Sequence, residues 1–429
     1  MWTLPSPLIL SFHGRFVILF CCIVLFFSGC TDATGNGSPS GAVPSGNSAS
    51  TSPARAKADA NGSATEEALR AQLSKVQQIM QGMTLDQKLG QLIIVEYFQS
   101  NYQDTELPYM ISHQFVGGYL YQTVNHNFAP PTNTISSARA FAAQANNDAK
   151  IPLLVAIDQE GGLVNKIGEN FYGPSPSAAN MVAQGDPNYA LTQGVQTSKW
   201  MQSVGINTDL APVVDVQTVD PAPPVYPLLR SRTFGNDPKT VATYAGKFLD
   251  GLQHNSIAGC LKHFPGLGSL TSNDDPHDGL PVVNRSMTDL ENVDFAPYRT
   301  MIQQNHPAMI MSTDVVTTAI DPDLPAELSP KAINGVLRKE LRYNGVVITD
   351  GLYMNGIRAK WSIAQASLLS ILAGNDLVEG PYTAEQVAGV VTTFKQAINQ
   401  GQLSIARVDE SVQRILLMKM QYGIIHTSK

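Results

Sequence analysis

The sequence predicts an α/β protein built as a single (β/α)8, TIM-type barrel, and three observations carry that reading. Eight short apolar, β-rich runs recur along the chain, at 92–95, 116–121, 152–157, 208–216, 257–261, 308–311, 345–348 and 376–378. Helix-patterned segments such as 244–254 and 330–341 separate most of them, and alternation of this kind marks a parallel sheet with helices packed outside it. Polar residues stand where the apolar runs stop: Asp158 and Glu160, Asp215, Lys262 and His263, Asp314, Thr349 and Asp350, and Glu379. A barrel gathers the C-terminal ends of its strands into one site, so these residues are expected to meet. An open doubly wound sheet is the alternative, because periodicity alone does not close a barrel.

The first element is an export signal. Arg15 precedes a twelve-residue apolar run, 16–27, too short for a membrane-spanning helix of roughly 20 residues. Small residues follow, ending in Ser28-Gly29-Cys30, and the segment 25–30 resembles a bacterial lipobox, in which the cysteine is acylated and becomes the mature N-terminus. Residues 1–29 therefore read as a lipoprotein signal peptide and Cys30 as the lipidation site. An ordinary signal peptide or an uncleaved anchor is the plainer alternative.

The second element, residues 30–64, reads as a tether. Ser, Gly, Ala, Thr, Asn, Pro and Asp dominate it, and Val43 is its sole large apolar residue. Such a stretch cannot bury enough surface to offset its ordering entropy, and a flexible chain of this length spans roughly 30–35 Å. The third element is the barrel, residues 65–429. Leu69, Leu73, Val76 and Met80 fall at helical spacing before Gly82, and Thr84 with Gln87 forms a capping-box pattern for a second helix.

Composition narrows the function. A net charge of −7 gives no basic surface for nucleic acid. Three of four cysteines, Cys21, Cys22 and Cys30, lie in the first thirty residues, so Cys260 has no partner for an intramolecular disulfide in the body. No Cys/His cluster has metal-ligand spacing, and Gly266-Leu267-Gly268 lacks the rest of a dinucleotide fingerprint. The expectation is an enzyme or binding protein with neither metal nor cofactor.

Motifs in order then carry a resemblance. They are the segment 83–92, Ala156-Ile157-Asp158-Gln159-Glu160-Gly161-Gly162, Gly205-Ile206-Asn207 through Asp215-Val216, Ser231-Arg232-Thr233-Phe234-Gly235, and Asp237-Pro238. They continue with Lys262-His263-Phe264-Pro265-Gly266, Asp275-Pro276-His277, Leu280-Pro281, 345–350, Ala373-Gly374-Asn375-Asp376 and 408–412. Together, over residues 83–423, the chain resembles glycoside hydrolase family 3, in its β-N-acetylglucosaminidase (β-N-acetylhexosaminidase) branch.

The resemblance implies a retaining exo-glycosidase that passes through a glycosyl–enzyme intermediate. Asp350 matches the nucleophile, which must be a carboxylate able to attack the anomeric carbon and later leave. By itself an Asp after a strand is commonly a helix cap. His277 and Asp275 match a His–Asp acid/base dyad on a loop. Histidine as a residue type changes charge near neutral pH, and a carboxylate beside it fixes tautomer and orientation. The Gly-, Ser-, Asp- and Pro-rich stretch 265–281 reads as that loop. Asp158, Lys166, Arg232, Lys262 and His263 match substrate-binding positions.

The implied substrate is an amino-sugar glycoside, such as a peptidoglycan fragment or muropeptide, and the implied location is the outer face of the bacterial membrane, held by the lipid anchor. No second α/β sandwich domain is expected. The chain departs from the family at Lys166 and Leu163, where arginine is usual, at Leu267 and Asp314, where histidine is common, and by two extra residues between Gly268 and Asp275. A family 3 glycosidase of other specificity, or a non-catalytic wall-binding lipoprotein on the same fold, are the competing readings.

Overall fold

The structure is a computed structural model that describes residues 67, 69–218, 231–271 and 274–426. The leader, Cys30 and the tether lie outside the described residues.

The eight expected strands form a closed parallel barrel. They are β1 (Ile93–Glu96), β2 (Gly118–Tyr121), β3 (Leu154–Ile157), β4 (Thr208–Asp209), β5 (Ala258–Phe264), β6 (Met309–Ser312), β7 (Val346–Gly351) and β8 (Leu377–Glu379). Each strand pairs with its neighbour in sequence, and β8 closes on β1 through Ile93 with Val378 and Ile94 with Glu379. The open-sheet alternative is thereby excluded. Strands covered on both faces are near-continuously apolar, as in the fully buried Leu-Val-Ala-Ile of β3.

The run 208–216 differs from expectation. Only Thr208 and Asp209 are ladder strand. Pro212 has no N–H to donate, and the extended segment rejoins the sheet by a single bridge between Val213 and Lys262.

Helices cover the outside. Pro187–Ser203 and Pro238–Gln253 pack against each other, and each starts on an aspartate cap, Asp186 and Asp237, whose carboxylate accepts a first-turn N–H. The expected helix 330–341 is Lys331–Glu340, with the wider turn of a π-helix. The Thr84–Gln87 capping box forms in full. Cys260 is buried and free. Among the described residues, no helix is long and apolar enough to cross a membrane.

Two glycines hold the C-terminal face in shape. A Cβ on Gly268 would lie 1.8 Å from the Val216 carbonyl oxygen, so only glycine lets the loop after β5 cross the chain that follows β4. A Cβ on Gly356 would lie 2.6 Å from the Gly279 oxygen and 3.1 Å from Oδ2 of Asp314, which packs the chain after β7 under the same loop.

Candidate active site

The C-terminal strand ends enclose a cavity of about 420 Å³, lined by Asp158, Lys262, His263, His277, Asp350 and Glu379 among others. That volume suits a small polar ligand.

One wall is a chain of ion pairs rising from β3 and β5. Lys262 Nζ donates to Asp158 Oδ1 at 2.7 Å and lies 2.8 Å from Glu160 Oε1. Lys166 Nζ donates to the other Asp158 oxygen at 2.8 Å. Arg232 grips Glu160 with two hydrogen bonds of 2.7 Å, from Nε and Nη2. Burial by itself would raise the Asp158 and Glu160 carboxyls, but the cations override it. Lys166 and Lys262 hold Asp158 far below the usual carboxylate range, and Arg232 and Lys262 hold Glu160 down at about 2. Burial would lower Lys262, and Asp158 with Glu160 raise it above the ordinary lysine value. The cations thus favour the charged forms of Asp158 and Glu160, and the two carboxylates favour that of Lys262.

His263 follows Lys262 but serves a different partner. Its Nδ1 sits 2.8 Å from Asp215 Oδ2, and the second Asp215 oxygen accepts from the His263 and Leu267 backbone N–H groups at 3.2 and 2.9 Å. Because the carboxylate only accepts, Nδ1 carries the hydrogen and Nε2 is turned toward Arg232 Nη2 at 3.5 Å. Asp158, Lys166, Arg232, Lys262 and His263 all line this cavity.

Asp350 stands across the cavity, near the end of β7. Thr313 Oγ1 donates to its Oδ2 at 2.8 Å, and the Gly351 N–H donates to its Oδ1 at 2.9 Å. Its own backbone N–H donates to Glu327 Oε2 at 3.2 Å. Asp314 and Glu327 are both fully buried. Burial first, then repulsion from Asp350 for Asp314 and from Asp314 and Asp350 for Glu327, pushes both carboxyls well above the usual range.

His277 and Asp275 lie on the loop after β5, as the composition of 265–281 predicts. His277 Nδ1 is 2.8 Å from Asp275 Oδ1, which also accepts the His277 backbone N–H at 2.9 Å. The ring is open, with 62% of the side chain exposed. The Asp278 and Gly279 N–H groups donate to the Asp275 carbonyl at 3.0 and 3.1 Å, which folds the segment into a tight turn.

The departures separate into three kinds. Lys166 reaches the site, whereas Leu163 points outward with 57% exposure. Leu267 joins Leu270, Val283 and Val315 in a small apolar cluster that anchors the loop base. Asp314 lies buried between Asp350 and the loop.

The sequence did not mark Glu96, Gln122, Thr313, Glu327 or Tyr353. Gln122 links Lys166 to Glu96, donating to Glu96 Oε1 at 3.0 Å. Burial, followed by repulsion from Glu379 and Glu96, raises the Tyr353 phenol well above its ordinary value. Asp215 and Glu160 were visible only as polar strand ends.

Known proteins resemble this chain in sequence and in fold. The glycosyl hydrolase family 3 N-terminal domain matches residues 84–418. The chain is 30% identical over 338 residues to beta-hexosaminidase LpqI of Mycobacterium tuberculosis, covering 77% of this chain and 82% of that one. It is 29% identical over 335 residues to beta-hexosaminidase A of Pseudoalteromonas piscicida, covering 73% of this chain and 55% of that protein.

Among solved structures, the family 3 beta-N-acetylglucosaminidase of Paenibacillus sp. superposes with a TM-score of 0.72 at 29% identity, over 81% of this chain and 64% of that one. This chain thus spans just under two thirds of that protein. M. tuberculosis LpqI superposes with a TM-score of 0.69 at 29% identity, over 79% and 94% of the two chains. The chain is a glycoside hydrolase and belongs to glycosyl hydrolase family 3.

Proposed function

We propose that this protein is a retaining exo-β-N-acetylglucosaminidase that acts on terminal β-linked N-acetylglucosamine of peptidoglycan fragments. The observation that carries the reading is the pairing of Asp350 in the cavity with His277, held 2.8 Å from Asp275 at its edge. Relatives at about 30% identity named as beta-hexosaminidases support the sugar class.

In this reading Asp158, Lys166, Lys262, Arg232 and His263 bind the sugar hydroxyls. Their charges are already paired, so the uncharged ring meets fixed donors and acceptors rather than an unsatisfied ion. An Asp350 carboxylate oxygen attacks the anomeric carbon as the bond to the leaving oxygen breaks. His277 Nε2 supplies the proton to that oxygen while Asp275 accepts from Nδ1. A water then enters, His277 takes its proton, and the hydroxide attacks the same carbon and releases Asp350. Two displacements return the original β configuration.

The protein is further proposed to be exported and anchored through Cys30, with 1–29 removed, 30–64 as tether and 65–429 as catalytic domain. The test compares matched aryl β-N-acetylglucosaminide and β-glucoside substrates, with the anomer of the first-formed sugar followed by NMR. A strong N-acetyl preference with β-N-acetylglucosamine released first is expected. Equal rates on both sugars, or release of the α anomer, would contradict the reading.

A further inference from the structure

Asp294 ends the wide helical turn Leu290–Asp294, and its side chain is only 1% exposed. Its carboxylate faces two stretches of chain at once. Oδ2 lies 2.9 Å from Nε of Arg285. Oδ1 packs against Gly266, where a Cβ would lie 3.0 Å away, and the φ of +144° at Gly266 is one that glycine adopts without strain. Gly266 is the second residue after β5, and Arg285 is the second residue beyond Val283. The two limbs of the loop that carries Asp275 and His277 thus converge on one buried carboxylate.

Asp294 itself has a firm mount. The helix that follows it, Phe295–Gln304, packs on the end of β5. Phe295 stacks on Phe264, the last residue of that strand, with ring centroids 6.0 Å apart, and Tyr298 meets the same ring edge-on at 5.4 Å. The outgoing limb is tied to the chain after β6. There the Val316 N–H donates to the Pro281 carbonyl at 3.0 Å, and the Thr318 N–H donates to the Val283 carbonyl at 3.1 Å. Side chains then join this limb to the incoming one. Leu267 and Leu270 meet Val283 and Val315 in the apolar cluster, and Asp294 links Gly266 to Arg285. Apolar contact is non-directional, whereas a guanidinium against a carboxylate has a set geometry. The ion pair therefore fixes how the limbs stand to each other.

A buried ion pair is weak evidence for stability, and its best-attested use is to fix one arrangement of the chain. Burial pushes the Asp294 carboxyl up to about 6, and Arg285 pulls against that rise and favours the charged form. Neither Asp294 nor Arg285 lines the cavity, so any effect on the reaction passes through the loop. Asp275 orients the His277 ring from within that loop. The dyad carries its own orientation, and the limbs carry the dyad.

We infer that Asp294, paired with Arg285, is a positioning residue for the acid/base step, setting the spacing of the two limbs and so the place where His277 meets the leaving oxygen. The inference rests on the reading above, in which His277 and Asp275 are the acid/base of a β-N-acetylglucosaminidase.

The experiment measures kcat/KM of the full chain, Asp294→Asn, Arg285→Gln, His277→Ala and Asp294→Asn in the His277→Ala background. The substrates are aryl β-N-acetylglucosaminides whose phenols grade from very acidic to weakly acidic. Misplacing a group by about 1 Å can cost about 10²-fold, so Asp294→Asn should lose roughly 10–100-fold on the least acidic phenols and far less on the most acidic. Arg285→Gln changes the more exposed partner, at 18%, and should show the same grading. It carries the test by itself should Asp294→Asn fail to unfold cooperatively. Added to His277→Ala, Asp294→Asn should cost almost nothing more, because no proton donor is left to position.

An equal loss across all phenols would overturn the inference, since a clamp that only holds the fold removes active molecules without regard to the leaving group. So would a loss of the same size in the His277→Ala background, or rates that match the parent throughout. Grading in His277→Ala without grading in either clamp variant overturns the role of Asp294 alone. No grading in His277→Ala, or no turnover by the parent, overturns the underlying reading and this inference with it.

Discussion

Thr313 Oγ1 donates to Oδ2 of Asp350 at 2.8 Å, and with the Gly351 N–H on Oδ1 it fixes the carboxylate plane from both ends. Thr313 is fully buried at the end of β6, so the bond does not compete with solvent. Thr313→Val keeps the shape and removes the donor. A hydrogen bond to a charged group is worth about 1.5–3 kcal/mol. The variant should therefore lose roughly tenfold or more in kcat/KM, with cooperative unfolding retained. Steady-state kinetics checks this, and an unchanged kcat/KM would mean that the carboxylate is oriented without Thr313.

The ion-pair wall makes stability depend on acid. The Glu160 carboxyl is held down at about 2 against an ordinary 4.5, which corresponds to about 3 kcal/mol. A depressed folded value stabilises the native state above the unfolded value, so this contribution is present above about 4.5 and lost as pH falls through about 2. Asp158 adds to it in the same direction. Lys262→Met leaves two buried carboxylates short of a cation and should cost about 3–5 kcal/mol at neutral pH. It should also flatten the acid limb. Urea unfolding across pH measures both, and parallel curves for parent and variant would contradict the account.

The legible parts of the sequence were those with local signals. All eight strands stood out because a strand buried on both faces must be apolar over several residues, and the Thr84 capping box stood out because both partners lie within one turn. Asp158, Lys262, His263 and Asp350 were visible as charges at strand ends. Glu327 was not, because it lies in a single 3-10 turn, Ala326–Leu328, too short to carry a periodic pattern, and only tertiary packing buries it against the Asp350 backbone. Thr313 was hidden because an uncharged hydroxyl at a strand end carries no distinctive signal. Gln122 became meaningful only once the barrel placed β2 beside β3, bringing it to Lys166. The length of β4 was overestimated because alternating apolar residues continue through Pro212, where the ladder is interrupted.

The dyad is tested by leaving-group dependence. His277→Ala should slow hydrolysis about 10²–10⁴-fold for natural sugars and far less for very acidic phenols, which leave without a proton. Asp275→Ala should show the same pattern at smaller amplitude, and the double variant should fall short of additivity. A uniform loss across leaving groups would assign His277 to substrate positioning instead.

Anchoring is tested at Cys30. Each buried acyl CH₂ contributes about 0.8 kcal/mol, so two chains hold a protein firmly to a bilayer. Cys30→Ala should move the protein from the detergent phase to the aqueous phase, or leave the leader uncleaved. Unchanged partition and mass would remove the lipoprotein reading.

The central claim is that Asp350 forms a covalent bond to the sugar. A fluorinated N-acetylglucosaminyl donor that slows release of the intermediate, followed by proteolysis and mass spectrometry, tests it most directly. The account predicts one adduct, on the peptide that carries Asp350, and none in Asp350→Asn, which should also lose nearly all turnover while remaining folded. An adduct on another carboxyl such as Glu379 or Asp314, or near-normal turnover by Asp350→Asn, would contradict it.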